Sequence, residues 1–171
     1  MKNFDLIVVG GGPGGYEAAI RGAQLGKKVA LIEQNKIGGT CLNRGCIPTK
    51  VLLHTAEVFH EAHTANELGL SFGELKYDMN AIHARKADVC ATLRTGVEGL
   101  LKANGVEVIN ARGVVKADGI VMAGEEEIKG EKILLATGSK PSRPPIPGLE
   151  LEGVVTSDEI LEIITTKGGK K

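Results

Sequence analysis

At 171 residues the chain has the length of one ordinary domain, enough to bury roughly 70% of the surface that its unfolded form exposes. Apolar residues make up 42%, charged residues 25%, and the formal charge sums to zero, which excludes a disordered composition and the basic footprint of a nucleic-acid binder. No apolar run approaches the roughly 20 residues of a membrane span, so the expectation is a cytoplasmic protein with neither membrane nor nucleic acid among its partners.

Phe4 to Val9 is a short apolar run that ends in glycines, and Pro13 to Leu25 carries helix formers up to a stop at Gly26. Val29 to Glu33 supplies a second apolar strand, so the three segments predict a βαβ unit with parallel strands and set an α/β class. Gln34 to Gly45 is rich in turn residues. A helix is predicted from about Pro48 to His63, with Val51, Leu52, Thr55, Val58, Phe59 and Ala62 at helical spacing. A longer one runs from Asp78 to Ala103 through Ile82, Val89, Leu93, Val97, Leu100 and Leu101, stopping at Gly105. From Val106 the pattern changes to strands: Asp118-Gly119 is a hairpin signal, Lys132 to Ala136 reads as a further buried strand, and a small antiparallel meander follows. The segment from Ser139 to Glu150 holds four of the six prolines. A domain edge is placed there, giving a domain over 1–145 and an edge and tail over 146–171, with the lysine-glycine end solvated.

The glycines Gly10, Gly12 and Gly15 stand in G-x-G-x-x-G spacing between the first strand and the first helix. There Gly10 permits a tight turn, Gly12 lets the backbone approach a pyrophosphate, and Gly15 allows close packing of helix on strand. The helix N-terminus offers N–H groups and partial positive charge to phosphates. Glu33, at the end of the second strand, stands where a carboxylate binds ribose hydroxyls. The pattern alone does not separate FAD from NAD.

Cys41 and Cys46 follow directly. In a regular helix their offset would separate the Cα atoms by about 7.5 Å along the axis, beyond the roughly 4.4 to 6.8 Å that a disulfide spans. A bridge there demands a distorted turn, which Asn43 and Gly45 can supply. Such a turn ahead of a helix favours a thiolate through the helix dipole. Zinc would need further ligands beyond His54, His60 and His63, so no metal site is expected. Cys90 is read as a small buried hydrophobe, and His83 with the other histidines as surface or packing residues.

GGGPGGYEAA, the acidic strand end, GGTCLNRGCIPTK and ILLATGSKP together resemble the pyridine nucleotide-disulfide oxidoreductases over nearly the whole chain. The wording around the cysteines is most similar to the dihydrolipoamide dehydrogenases, while glutathione and mercuric reductases share the architecture. The resemblance implies a Rossmann-like, three-layer FAD-binding domain with a parallel sheet and a small antiparallel meander. It implies that Cys46 is the sulfur nearest the flavin and Cys41 the one that exchanges with dihydrolipoamide. It further implies FAD contacts from Gly10, Gly12, Pro13, Gly14, Gly15, Glu33, Gln34, Gly39 and Thr40. Lys50 would stand near the flavin, Gly113 near adenine, and Ala136, Thr137, Gly138 and Ser139 at a second flavin contact.

In that family electrons pass from substrate dithiol to the cysteine pair, to FAD and then to NAD. The implied partners are a lipoyl-bearing protein of a 2-oxo acid dehydrogenase or glycine-cleavage complex, and a second subunit of a homodimer. This sequence has no second G-x-G-x-x-G for NAD and no match to the family's His-Glu base pair. The expectation is therefore a truncated, fragmentary or split enzyme, in the split case completed by a complementing C-terminal chain, or else a noncatalytic flavin-binding or thiol module.

Overall fold

The computed structural model describes residues 1–162, and the lysine-glycine end lies outside the described residues. Lys2–Val9 forms β1, Pro13–Gln24 forms α1, and Val29–Glu33 forms β2. Pro13 stands in the first turn of α1, where its missing N–H removes a donor that the helix would leave unpartnered. After Gly39–Arg44 (α2), Cys46–Thr64 (α3), a 3-10 turn at Ala65–Leu68 and Met79–Ala103 (α4), the chain returns to the sheet. Its remaining strands are Glu107–Asn110 (β3), Gly113–Val115 (β4), Ile120–Ala123 (β5) and Glu126–Leu135 (β6). Ser157–Glu162 forms α5.

The sheet order is β3-β2-β1-β6-β5-β4. β3, β2, β1 and β6 are mutually parallel, with Ile32 opposite Ile109 and Val8 opposite both Leu31 and Leu134. β5 is antiparallel to β4 and β6. Asp118 and Gly119 lie in the predicted hairpin turn, with φ of +56° and +77°, and Ile120 N donates to the Ala117 carbonyl across them; positive φ at both residues is what an Asp-Gly turn supplies.

Two apolar clusters occupy opposite faces of the parallel strands. On one, Phe4, Ile7, Val9, Ala30 and Ile32 pack against Val121, Ala123 and Ile128 of the meander. On the other, Val8, Val29 and Leu31 pack with Ala19 of α1, Leu101 of α4, Ile37 and Val106. These faces make three layers: meander, parallel sheet and helices. Burial from both sides explains why β2 reads as an unbroken apolar run instead of an alternating one.

The sequence reading divided the last strand from the meander. In the structure β6 is one strand of 10 residues. Glu126 to Lys129 pair with β5, and Ile128 to Leu135 run beside β1. The charged run Glu125 to Glu127 and the glycine at Gly130 interrupt the apolar pattern, so periodicity shows only the end from Lys132. Contrary to expectation that end is not buried, since Leu134 and Leu135 are exposed and Ile133 half-buried, and the buried positions are Ile128 and Gly130.

The chain divides into two compact units, one comprising Met1–Asn43 and Thr92–Lys140, the other Arg44–Ala91 and the chain from Pro141 onward. In the second unit, α3 starts at Cys46 instead of Pro48, and Pro48 is fully buried in its first turn. Val51 is buried as predicted, but Val58 and Phe59 are exposed, with Phe59 meeting Tyr77 edge-to-face at 6.0 Å. On α4, His83 and Lys86 are buried, and Lys86 Nζ donates to the Leu161 carbonyl at 2.7 Å. His83 is thus a packing residue, as expected, while His54, His60 and His63 are on α3, with His54 and His60 exposed.

Ile128 joins meander to sheet and is fully buried. Ile128→Ala should cost about 2 to 5 kcal/mol, read as a lowered urea midpoint with an unchanged slope.

Burial first, and the Lys86 charge second, hold the His83 pKa below its ordinary value of 6.5. The unfolded chain therefore takes up this proton at higher pH than the folded one, so the contribution is flat above 6.5 and lost as pH falls below it. Urea titrations at about pH 7.5 and about 5.5 should show a smaller loss of stability on acidification in His83→Gln than in the parent; an equal loss in both would contradict this.

Candidate functional site

The carboxyl ends of β1, β2 and β6 meet around the glycine turn. Gly10 N donates to the Ile32 carbonyl at 2.8 Å, and Ala136 N to the Val9 carbonyl at 2.8 Å. β1 lies between β2, which the chain reaches through α1, and β6, which it reaches much later, so this is the point at which the strand order reverses.

The turn is built by close backbone approach. Gly10 has φ +109°, and a Cβ there would overlap the Ala136 carbonyl. A Cβ on Gly15 would overlap the Gly10 carbonyl, so α1 rests directly on the end of β1. Gly39, at the start of α2, would place a Cβ 2.6 Å from Gly12 Cα, and Gly38 N donates to the Gly11 carbonyl at 2.8 Å.

Gly12 differs from these. Its φ is −73°, a value open to any residue, and a Cβ on it would find only Gly39 Cα, at 3.8 Å. Protein packing does not require glycine there, nor at Gly14, where a Cβ would meet nothing within 4 Å.

Glu33 is half-buried and locks the turn: its Oε2 accepts from Gly11 N at 2.7 Å and its Oε1 from Asn35 N at 2.8 Å. Each carboxylate oxygen keeps a further lone pair for a hydroxyl donor. Gly11 and Gly38 are site residues that sequence reading passed over. The available signal was the unbroken glycine triplet Gly10 to Gly12 and the Gly38-Gly39 pair, more glycines than the spacing pattern needs.

Cys41 on α2 and Cys46 at the first position of α3 are joined by a disulfide. The helix is broken at Gly45, with φ −142° and ψ −109°, which supplies the distorted turn that the offset demands. Asn43 does not make the break. Its Nδ2 donates to the Ile37 and Gly39 carbonyls at 3.0 Å each, and its Oδ1 accepts from Arg94 Nη1 at 3.0 Å. Arg44 pairs with Asp158 of α5 at 3.0 Å. Cys46 is exposed and Cys41 half-buried; Cys90 is buried, as expected.

Of the other predicted contacts, the amide of Thr137 would lie 3.1 Å from a Cβ on Gly10, and Gly138 and Ser139 follow it, exposed. Gly113 has a packing reason of its own, since a Cβ there would come 2.7 Å from Val9. Pro13, Gln34 and Thr40 are exposed around the turn, and Lys50 is exposed on the first part of α3. No group of three potential metal ligands occurs among the described residues.

Residues 4–167 match the pyridine nucleotide-disulphide oxidoreductase family. The chain belongs to this family. A dihydrolipoyl dehydrogenase from Acholeplasma laidlawii is 46% identical over 95% of this chain and 50% of its own length. One from Bacillus subtilis is 38% identical over 94% of this chain and 36% of its own. Among solved structures, the HOCl-induced flavoprotein disulfide reductase RclA from Escherichia coli, solved as its Cu(II) complex, has a TM-score of 0.80. It is 31% identical and covers 96% of this chain and 35% of its own. The chain thus spans between about a third and a half of the length of these oxidoreductase relatives.

Replacing Gly15 by alanine forces backbone against backbone. Gly15→Ala should cost about 3 kcal/mol or more, placing it among the most damaging single substitutions, and a chemical denaturation curve would show it.

Proposed function

We propose that the chain is the flavin-binding, disulfide-bearing part of a dihydrolipoamide dehydrogenase, in which Cys41 and Cys46 oxidise a substrate dithiol. One observation carries the reading: the segment bearing Cys41 is packed glycine to glycine, Gly39 on Gly12, against the turn whose shape suits a pyrophosphate. Residues 1–145 form the FAD-binding domain, and 146–171 lead toward a nicotinamide-binding domain.

The cradle fits FAD. The Gly15 and Tyr16 amides are taken by the Gly12 carbonyl, which leaves the Gly12 and Gly14 amides and the positive end of α1 for the pyrophosphate. Glu33 would accept from the ribose hydroxyls. Pro13, Gly10, Gly15, Gln34, Gly39 and Thr40 would frame the same face, with Gly113 bordering the adenine and Ala136 to Ser139 the flavin; Lys50 is a further flavin contact by family resemblance alone. When bound, FAD supplies the two-electron acceptor for the reduced pair, with NAD as the terminal hydride acceptor.

The chain's own residues perform the thiol exchange. A substrate thiolate attacks Cys41 Sγ, and the Cys41–Cys46 bond breaks with its electron pair leaving on Cys46. Cys46 stands at the N-terminus of the 19-residue α3, where the helix dipole stabilises the departing thiolate. The second substrate thiol then attacks the mixed disulfide and releases Cys41, so two electrons and two protons pass from substrate to protein.

By family resemblance the dithiol belongs to a lipoyl-bearing protein of a 2-oxo acid dehydrogenase or glycine-cleavage complex. The working enzyme is a cytoplasmic homodimer that needs the nicotinamide-binding and base-bearing segments, in the same chain or a complementing one. No described helix is long and apolar enough to cross a membrane.

Gly12→Ala separates ligand binding from folding. Its stability should stay within about 1 kcal/mol of the parent, since the added Cβ meets only ordinary contact. Its FAD affinity should fall by about tenfold or more, measured by flavin fluorescence quenching. Unchanged flavin affinity would defeat the cradle reading. NAD reduction by dihydrolipoamide, absent in the chain alone and restored by a complementing C-terminal polypeptide, would favour the enzyme over a noncatalytic module.

A further inference from the structure

We infer that Asn43 is a positioning residue for the Cys41–Cys46 pair, held by Arg94 so that the two sulfurs stay in register when the bond between them is open. The inference rests on the proposed redox role of the pair.

Between the cysteines lie Leu42, Asn43, Arg44 and Gly45. Leu42 is buried, and Arg44 is paired with Asp158. Asn43 is bonded through both ends of its side-chain amide. Both amide hydrogens are placed on backbone carbonyls, Ile37 and Gly39, with the Lys36 carbonyl at 3.5 Å, and the amide oxygen takes the Arg94 guanidinium at 3.0 Å. An asparagine offers two donors and an acceptor, so each kind of capacity is used.

A disulfide holds its own loop closed. The anchors on Asn43 are redundant while the bond exists and matter once it is reduced. In the dithiol, a loop free at Asn43 would explore conformations in which Cys41 and Cys46 are apart, and reclosure would lose that freedom again. With Asn43 pinned at both ends of its amide, the reduced loop keeps the oxidised geometry. The effective concentration of one thiol at the other is then high, and the equilibrium favours the disulfide.

Arg94 makes the anchor independent of the loop. It projects from α4, far along the chain, whereas Ile37 and Gly39 belong to the approach to α2. The bond from Arg94 ties the loop to the helix whose Leu101 packs on the sheet.

The test is the thiol–disulfide equilibrium of the full chain against dithiothreitol. In it, two thiols of the reagent close to its cyclic disulfide while the Cys41–Cys46 bond opens to two thiols, a balanced exchange of two electrons and two protons. Asn43→Ala should shift the equilibrium toward the protein dithiol by about fivefold to tenfold, and Arg94→Met by about threefold in the same direction. Urea stability of the oxidised forms is measured alongside, because a merely structural role lowers stability without moving the exchange constant. If Asn43→Ala does not fold, Arg94→Met alone decides. A parent pair that cycles reversibly, with exchange constants in the folded variants within twofold of the parent, overturns the inference and leaves the redox reading intact. A parent pair that does not cycle overturns both.

Discussion

Three stretches of backbone come together at the end of β1 with no room for a side chain between them: the turn into α1, the start of α2 and the exit of β6. The contact of Gly15 with the Gly10 carbonyl sets how α1 lies on the sheet, and that of Gly10 with Ala136 sets where β6 ends beside β1. Gly39 against Gly12 then fixes where the cysteine-bearing segment begins. Glu33 reinforces the arrangement by accepting the Gly11 amide, so the carboxylate suited to ribose also stabilises the turn suited to phosphate. A buried amide without an acceptor costs roughly 1 to 3 kcal/mol, and Glu33 removes that cost for Gly11 while leaving lone pairs for a ligand.

The sheet positions this convergence. The whole excursion through α2, α3 and α4 is inserted between β2 and β3, so the disulfide segment starts directly from the end of β2. β6 has two tasks, forming the meander with β5 and completing the parallel sheet beside β1. One strand thereby joins the layer that covers the sheet to the edge of the glycine turn. Ile128 sits in the buried cluster at one end of β6 and Ala136 against Gly10 just past the other.

Much of this was legible in the sequence because it depends on backbone sterics and short-range periodicity. The βαβ unit, the Asp118-Gly119 turn and the acidic end of β2 are each specified by a few adjacent residues. Geometry also foretold the break between Cys41 and Cys46, since a continuous helix cannot bring their Cα atoms close enough. What was not legible depends on distant residues. The extent of β6 was masked by its charged first part, because a strand on an outer layer needs apolar residues on only one face. α2 does not show in the sequence because its six residues follow Gly38, begin at Gly39 and carry no apolar period. The roles of Asn43 and Arg94 appear only when α4 is laid against the loop.

The break at Gly45 has a chemical consequence beyond permitting the bridge. Had the cysteines shared one helix, both sulfurs would have lain along its side, and neither would have stood at a helix terminus. Ending α2 and beginning α3 between them gives the two sulfurs unequal surroundings: Cys41 within a short helix and half-buried, Cys46 exposed at the first position of a long one. A symmetric disulfide could open toward either sulfur. Here the surroundings differ, because the N-terminal amides and dipole of α3 favour negative charge at its first position, which Cys46 occupies. In the proposed thiol exchange, the same chain break that satisfies the distance requirement of the bond therefore also gives its cleavage a direction, with attack at Cys41 and charge collecting at Cys46.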